Sequence, residues 1–270
     1  MPSASDTLRI SLLQTDIFWN DKKKNLERIG QILSTLKGKS DLAVLPETCT
    51  TGFTMQPRHV AEEDDGETVC RLKEYAAENG LAIAGSFAQK DKETARFHNR
   101  AFLITPEGSY SYSDKRHLFR IGGEADAYSP GQSRPLFSLL GWRIALFVCY
   151  DLRFPVWTRR SPRFDYDLAI YTANWPNSRI QVWDSLLIAR AIENQAYVCG
   201  VNRVGNDGNR LTYNGHSSLI SPRGETLLSL PTPAESMATA SISRESLLHF
   251  REKFPVWKDA DDFSLKPLHL

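Results

Sequence analysis

Three side chains of this sequence combine a nucleophile, an acid–base group and a cation, and each follows a stretch with strand character. Cys149 comes directly after the apolar run 142–148 and directly before a turn. A strand that delivers a thiol into a sharp turn exposes the sulfur beside a backbone N–H, as a covalent nucleophile requires. Glu47 and Lys115 also stand just after short runs that favour a strand.

These residue types suit acyl transfer from an amide to a thiol. A nearby ammonium favours the thiolate form of a cysteine, whose unperturbed pKa is about 8.5, and Lys115 can supply that charge. Glu47 is expected to accept the proton of Cys149 and to pass it to the departing nitrogen. The Lys115 ammonium and the backbone N–H of Tyr150 are expected to form the oxyanion hole, where one donor is typically worth about 10²–10³ in rate.

Each of these residues taken alone has a commoner structural role. Buried cysteines usually serve packing, and glutamates and lysines are mostly exposed. Chemistry is therefore indicated only if the fold brings the three positions together.

The order of strands and helices predicts that convergence. Strands alternate with amphipathic helices, and the later strands are almost wholly apolar, which is typical of strands covered on both faces. Ligands collect beyond the carboxyl ends of such strands. We expect one α/β domain over residues 1–270, with a C-terminal extension from about residue 244. The patterns predict strands at 42–45, 81–87, 97–104, 144–148, 168–172 and 197–201 and helices at 68–79 and 181–193.

The composition argues against several classes of protein. With 33 basic and 32 acidic residues among 270, the chain is nearly neutral and lacks the charge of a nucleic-acid binder. No run approaches the about 20 apolar residues of a membrane span, and the first residues lack the features of a secretion signal. We expect a cytoplasmic protein with neither nucleic-acid nor membrane partners. The 4 cysteines show no metal-ligand spacing, which predicts free thiols and no metal site.

The segments around these three residues resemble a known protein family. Three ordered segments resemble the signatures of the nitrilase superfamily of carbon–nitrogen hydrolases: Leu45-Pro46-Glu47-Thr48, Asp114-Lys115-Arg116-His117-Leu118-Phe119 and Val148-Cys149-Tyr150-Asp151-Leu152-Arg153-Phe154-Pro155. Supporting matches include Gly123-Glu124, Ala173-Asn174-Trp175-Pro176 and Ser221-Pro222-Arg223-Gly224.

The resemblance implies both a fold and a catalytic set. The implied fold is a four-layer α-β-β-α sandwich that dimerises with a second copy through its helices. The implied catalytic residues are Glu47, Lys115 and Cys149, together with Glu124, a second glutamate that helps to position the substrate and Lys115. No metal or organic cofactor is implied.

Within the superfamily, segments 115–119, 150–155, 173–176 and 254–263 resemble the omega-amidase branch. That resemblance implies hydrolysis of the terminal amide of 2-oxo dicarboxylic acid monoamides, such as 2-oxoglutaramate and 2-oxosuccinamate, through a cysteinyl thioester. Such small amides are left by transamination of glutamine or asparagine.

The free carboxylate of such a substrate needs a cationic or donor-rich partner, because an unpaired buried carboxylate is costly. Arg120 is the candidate for this contact. The candidates for shaping the substrate pocket are Phe53, Phe119, Tyr128 and Trp175, although core packing would suit each of these rings equally well.

Three other functions stay open at this level. A nitrilase or an N-carbamoyl amino acid amidohydrolase would use the same three catalytic residues on a different bond. A papain-like hydrolase would use a histidine base, for which His117 lies nearest to Lys115 in the sequence. A binding protein of the same fold could have lost its chemistry, because a fold alone does not guarantee an activity.

Overall fold

We describe a computed structural model, which covers residues 5–265 of the chain. Its strands in chain order are β1 (Thr7–Gln14), β2 (Leu42–Val44), β3 (Ala82–Lys90), β4 (Phe97–Ile104), β5 (Tyr110–Asp114), β6 (Phe137–Leu139), β7 (Trp142–Val148), β8 (Leu168–Ala173), β9 (Tyr197–Asn202), β10 (Val204–Asn206), β11 (Thr212–Asn214), β12 (Ser218–Ile220), β13 (Thr226–Ser229) and β14 (Ser236–Ser243). Its helices are α1 (Lys22–Ser34), α2 (Glu67–Asn79), α3 (Glu124–Ala127), α4 (Pro155–Thr158), α5 (Ile180–Asn194) and α6 (Arg244–Lys253).

The strands form two six-stranded sheets and one small hairpin. The first sheet has the order β14-β1-β2-β3-β4-β5, the second has the order β13-β12-β9-β8-β7-β6, and β10 pairs with β11. The centre of each sheet is parallel, β1-β2-β3 in one and β7-β8-β9 in the other, and the outer strands run antiparallel. The parallel strands therefore end along a shared edge of each sheet.

Apolar contacts divide the molecule into four layers. Residues such as Ile10 and Ile170 fill the space between the two sheets. Helices α1 and α2 cover the outer face of the first sheet, where Leu26 and Leu72 are buried. Helix α5 covers the outer face of the second sheet with Trp183. This arrangement confirms the predicted four-layer α-β-β-α sandwich.

The start of α1 and the end of α2 show how individual residues set the bounds of these helices. Asp21 caps α1 by accepting a hydrogen bond from the backbone N–H of Lys24, as an N-cap side chain does. Helix α2 ends at Gly80, whose φ of 63° is the left-handed conformation that glycine adopts easily. The helix predicted at 68–79 thus forms within one residue of its expected start.

Several elements were not predicted. They are strand β6, the hairpin β10–β11, the short helices α3 and α4, and α6, which follows β14 without a break. Leu247 of α6 is buried in the core between the sheets. The guanidinium of Arg251 donates to Asp167 Oδ1 at 3.0 Å and to the carbonyl of Tyr166 at 2.7 Å. Residues after 243 are therefore packed against the sandwich, while the division into one domain plus an extension stays a prediction.

Within residues 5–265, no helix combines the length and the apolar character needed to cross a bilayer.

Candidate active site

The sheet edges bring together the four residues expected to be catalytic. Glu47 follows β2, Cys149 follows β7 and Lys115 follows β5. Strand β5 runs in the same direction as β2, because β2 is parallel to β3 and the pairings β3–β4 and β4–β5 are both antiparallel. Glu124 begins α3. The side chains of Glu47 and Glu124 are fully buried and that of Lys115 is 1% exposed, so the charges face one another away from water.

Cys149 occupies a strained backbone position. Its φ is 45°, in the left-handed region that a side chain disfavours, and it opens the 3₁₀ turn Cys149–Arg153. Asp151 holds this turn: its Oδ2 accepts from the backbone N–H of Val148 at 3.1 Å, and its Oδ1 accepts from the backbone N–H of His117 at 2.9 Å. The strand-to-turn geometry predicted for the thiol is therefore present.

Tyr150 is the second residue of the same turn. The first N–H groups of a helical turn have no acceptor within that turn. The backbone N–H of Tyr150 is therefore available beside the sulfur, as an oxyanion donor must be.

His117 belongs to the support of the turn. Its Nδ1 lies 2.8 Å from Asp151 Oδ1, and its ring stacks on Phe154 with 3.7 Å between centroids. The ring of His117 lines a neighbouring depression and not the cavity that contains Cys149, which disfavours His117 as the base of a papain-like site.

Lys115 lies between two carboxylates. Its Nζ donates to Glu47 Oε1 at 2.9 Å and to Glu124 Oε1 at 2.9 Å, and it also lies 2.9 Å from Glu124 Oε2. Glu124 Oε2 in addition accepts from the backbone N–H of Phe119 at 2.6 Å. Glu124 thereby fixes both the ammonium and the segment that follows it.

The two oxygens of Glu47 have different surroundings. Oε1 accepts from Lys115 Nζ at 2.9 Å and from Asn99 Nδ2 at 2.8 Å. Oε2 accepts from the backbone N–H of Asn174 at 2.8 Å, with a longer contact of 3.4 Å from Asn174 Nδ2. Since Oε1 already has two good donors, Oε2 is the oxygen with capacity for another proton.

Burial and charge set the resting protonation of the site. Burial raises the pKa of the Cys149 thiol well above its ordinary value, the Glu47 carboxylate raises it further, and the Lys115 ammonium lowers it. For Lys115, burial lowers the pKa, but the carboxylates of Glu124 and Glu47 outweigh this and hold it above the usual value. Burial likewise raises the pKa of Glu124, against the effect of Lys115.

The expected effect of Lys115 on the pKa of Cys149 is present, but it is not the largest effect. Lys115 does favour the thiolate, as expected, but burial and two carboxylates outweigh it, so the resting thiol of Cys149 is neutral. Because the thiol is neutral, its proton must be transferred to a base while the sulfur attacks a substrate.

The cavity over Cys149 is small, with a volume of about 50 Å³. One water needs roughly 10–15 Å³ of such space, so the cavity suits a small molecule. Its wall contains five aromatic residues: Phe53, Phe119, Tyr150, Trp175 and Tyr213. Three of the four rings expected to shape the pocket are among these residues: Phe53, Phe119 and Trp175.

Two arginines complete the cavity wall. The guanidinium of Arg153 lies over the Trp175 ring at 5.1 Å, and that of Arg179 lies over the Phe119 ring at 5.2 Å. Neither guanidinium forms an ion pair within the described part of the chain. Two half-buried cations without a carboxylate partner are ready to bind an anion.

The structure does not place two of the expected substrate-binding residues on this cavity. Arg120 is exposed on the turn Arg120–Gly122 and lines a neighbouring surface depression, because the chain turns between it and Phe119. Tyr128 is 4% exposed and donates from its hydroxyl to the carbonyl of Thr54 at 3.0 Å, so it packs beside α3.

Sequence reasoning missed several residues of the site. Asn174 and Arg153 lay inside recognised motifs, and Arg179 lies five residues after Asn174. Asn99 is a buried polar residue at the start of an apolar strand, which is a usable signal. Tyr213 comes from the hairpin β10–β11, and nothing in the sequence around it points to Cys149.

Within residues 5–265, no group of three or more His, Cys, Asp or Glu side chains could hold a metal ion, and the cysteines at 49, 70, 149 and 199 are free. That the chemistry needs no cofactor stays a prediction.

Comparison with known proteins gives a consistent result. Residues 9–252 match the family model described as carbon-nitrogen hydrolase. The omega-amidase YafV of Escherichia coli K12 is 43% identical over 258 residues, which cover 96% of this chain and 98% of that protein. The 2-oxoglutaramate amidase of Bacillus subtilis is 32% identical over 253 residues, covering 93% and 96%.

The fold agrees with a solved structure as well. XC1258 of Xanthomonas campestris, a CN-hydrolase superfamily protein with an arsenic adduct in its active site, superposes with a TM-score of 0.93 at 41% identity, covering 97% of this chain and all 100% of that one. With its sandwich fold, its strand-end site and these relatives, the chain belongs to the carbon–nitrogen hydrolase family and is a hydrolase of carbon–nitrogen bonds other than peptide bonds.

Proposed function

We propose that this protein is an omega-amidase, which hydrolyses the terminal amide of 2-oxo dicarboxylic acid monoamides to the 2-oxo acid and ammonia. 2-Oxoglutaramate and 2-oxosuccinamate are the proposed substrates. The observation that carries the proposal is the small aromatic cavity that has Cys149 in its wall together with the unpaired guanidinium groups of Arg153 and Arg179. The names of the E. coli and B. subtilis relatives support the same substrate class.

In the first step, the sulfur of Cys149 forms a bond to the amide carbon and its proton passes to Glu47. Oε2 is the proposed acceptor, because Oε1 already takes hydrogen bonds from Lys115 and Asn99. The carbonyl oxygen becomes an oxyanion that the Lys115 ammonium and the Tyr150 N–H stabilise. Proton transfer during the attack fits a thiol that is neutral at rest.

In the second step, Glu47 returns the proton to the amide nitrogen, the carbon–nitrogen bond breaks and ammonia leaves. A thioester remains on Cys149. Glu47 then takes a proton from a water molecule whose oxygen bonds to the thioester carbon, and the carbon–sulfur bond breaks. Cys149 regains a proton, and the carboxylic acid is released, so one amide and one water give one acid and one ammonia.

Glu124 acts in this scheme by holding Lys115. Two contacts of 2.9 Å tie the ammonium to it, while its bond to the Phe119 N–H anchors one wall of the cavity. Removal of Glu124 would therefore disturb both the oxyanion donor and the substrate wall.

Arg153 and Arg179 take the role first assigned to Arg120. Each guanidinium is a half-buried cation on the cavity wall, and each rests on an aromatic ring that fixes its plane. A planar guanidinium binds a carboxylate with two parallel hydrogen bonds. The carboxylate and the 2-oxo group at the far end of the substrate are the proposed partners.

We also propose that the protein forms a homodimer through its helices. Several large apolar side chains are exposed on α5 and after α6, among them Ile192 at 51%, Phe254 at 58% and Trp257 at 41%. Ile192 and Phe254 line one surface depression, and exposed apolar side chains grouped in this way are typical of an interface. We expect Ile192→Glu to convert a dimer into a monomer in analytical ultracentrifugation; a wild-type monomer would contradict the proposal.

The deciding experiment measures ammonia release by the purified protein from 2-oxoglutaramate, 2-oxosuccinamate, glutamine and an N-carbamoyl amino acid, with acid formation followed for a simple nitrile. Cys149→Ala and Glu47→Gln are the controls. Activity restricted to the 2-oxo amides and lost in both variants supports the proposal. Preference for the nitrile or the carbamoyl compound would keep the three catalytic residues and change the substrate.

A separate measurement tests the alternative that the protein is a catalytically silent binding protein. The wild-type protein would release no ammonia from any compound, and an acyl electrophile would fail to label Cys149. Labelling of Cys149, detected by peptide mass spectrometry, would contradict a silent site.

A further inference from the structure

We infer that Asn99 is a positioning residue of the reaction, whose side-chain amide holds the carboxylates of Glu47 and Glu124 together in their ionised forms beside Lys115. This inference rests on the proposed role of Glu47 as the proton acceptor.

Asn99 lies on β4 and is completely buried. Its Nδ2 donates to Glu47 Oε1 at 2.8 Å and to Glu124 Oε1 at 3.3 Å, so each of its two hydrogens serves one carboxylate. Its backbone carbonyl accepts from the N–H of Lys115 at 2.9 Å. One residue therefore contacts both carboxylates of the site and the backbone of Lys115.

The orientation of this amide is fixed by a chain of hydrogen bonds. The backbone N–H of Thr48 donates to Ser86 Oγ at 2.8 Å, and Ser86 Oγ donates to Asn99 Oδ1 at 3.0 Å. A backbone N–H can only donate, so the hydroxyl of Ser86 is free to give its own proton to the amide oxygen. Asn99 then presents its NH₂ group to the carboxylates. The opposite orientation would set its carbonyl oxygen against two carboxylate oxygens.

The charge balance of the site explains why this donor matters. Two buried carboxylates share a single ammonium, an arrangement in which one carboxylate tends to take up a proton. A protonated Glu47 could not accept the thiol proton. Hydrogen bonds to the charged form favour that form, and the two hydrogens of Asn99 supply one to each carboxylate without adding a charge.

A residue that merely filled space would not have this effect. Asn194 offers the matched case: it is also buried, its Nδ2 donates to the carbonyl of Arg190 at 2.9 Å, and its Oδ1 accepts from the N–H of Arg160 at 2.8 Å. Its Nδ2 also lies 3.4 Å from Glu193 Oε1, but it has no hydrogen bond to Cys149, Glu47 or Glu124. Asn194→Ala thus reports the cost of losing a buried asparagine without changing the charges around the thiol.

The test compares the full-length wild type with Asn99→Ala and Asn194→Ala on an amide that the wild type hydrolyses. We expect Asn99→Ala to lower kcat by about 10- to 100-fold, the loss associated with hydrogen bonds to charged groups, while KM changes little. We also expect the acid limb of its kcat/KM profile to move to higher pH, because the ionised carboxylates lose a donor. Asn194→Ala should keep the wild-type limb even if its melting temperature falls.

A second variant covers the case in which Asn99→Ala does not fold. Ser86→Ala leaves Asn99 in place but removes the group that orients its amide, so we expect a smaller loss of kcat and an acid limb displaced in the same direction. An unmoved acid limb in the folded Asn99→Ala protein, or in Ser86→Ala where that protein does not fold, would overturn the inference.

A substrate-free measurement separates this inference from the proposed function. The rate of alkylation of Cys149 by iodoacetamide, followed by peptide mass spectrometry as a function of pH, needs no turnover. If the wild type hydrolyses no amide, the proposed function fails. The inference about Asn99 then stands if Asn99→Ala displaces the alkylation profile to lower pH, because a carboxylate that takes up a proton no longer raises the pKa of Cys149, and it falls if the profile is unchanged or moves to higher pH.

Discussion

The backbone N–H of Asn174 donates to Glu47 Oε2 at 2.8 Å, and this bond joins the end of β8 in one sheet to the end of β2 in the other. The side chain of Asn174 adds a bond of 2.8 Å to the carbonyl of Glu47 and one of 3.0 Å to Thr48 Oγ1. The carbonyl of Asn174 lies 3.9 Å from the sulfur of Cys149. The orientation of the proposed base thus depends on how the two sheets are packed.

Asn174→Ala should lower kcat by about 10-fold, since hydrogen bonds of this kind are each worth about 0.5–1.5 kcal/mol and the variant keeps the backbone bond to Glu47. Steady-state kinetics and a thermal melt on the same preparation provide the check. A kcat equal to that of the wild type would show that the backbone bond alone orients Glu47.

Glu124→Gln should change two readouts in opposite directions. The charge of Glu124 contributes to the raised pKa of Cys149, so its removal lowers that pKa and speeds alkylation by iodoacetamide at neutral pH. Amide turnover should fall by about 10²-fold, because Lys115 loses a partner that holds it in the oxyanion site. Slower alkylation together with slower turnover would indicate a misfolded site and contradict this account of the charges.

The raised pKa of Cys149 predicts a loss of stability at alkaline pH. The unfolded thiol releases its proton from about pH 8.5, whereas the folded thiol keeps its proton, so unfolding becomes easier as pH rises above that value. The cost is about 1.4 kcal/mol for each pH unit between the unfolded and folded pKa values.

Cys149→Ala lacks this proton and is the comparison. The difference in melting temperature between the variant and the wild type should be constant below about pH 8. Above that pH the difference should grow in favour of the variant, by roughly 2–4 °C for each kcal/mol of stability that the wild type loses, which differential scanning calorimetry can resolve. Parallel melting curves over the whole range would contradict a raised thiol pKa.

Arg153→Ala and Arg179→Ala should each raise KM for 2-oxoglutaramate by about 10- to 100-fold, the worth of a charge-assisted hydrogen bond to a carboxylate. Small neutral amides should be affected little. Arg120→Ala is the matched control, because Arg120 lies on the neighbouring depression and outside the cavity. A rise in KM only in Arg120→Ala would restore the original assignment of the carboxylate contact.

Much of the fold was determined by the sequence alone. Hydrophobic periodicity and glycine stops are local signals, and they placed the strands at 97–104 and 144–148 and the helix ending at Gly80 almost where the structure has them. The chemical types and spacings of Glu47 and Cys149 carried the catalytic hypothesis, because strands that end at one edge must bring the residues after them together.

Which residues line the cavity over Cys149 was determined only by the tertiary structure. Phe119 and Arg120 are neighbours in the chain, yet the turn at Arg120–Gly122 puts the ring on the cavity and the guanidinium outside it. Tyr213 reaches the cavity from a hairpin far along the chain, and Asn99 meets Glu47 across the sheet. Such contacts depend on how distant segments pack and on which way a turn directs each side chain, and neither is encoded in local residue patterns.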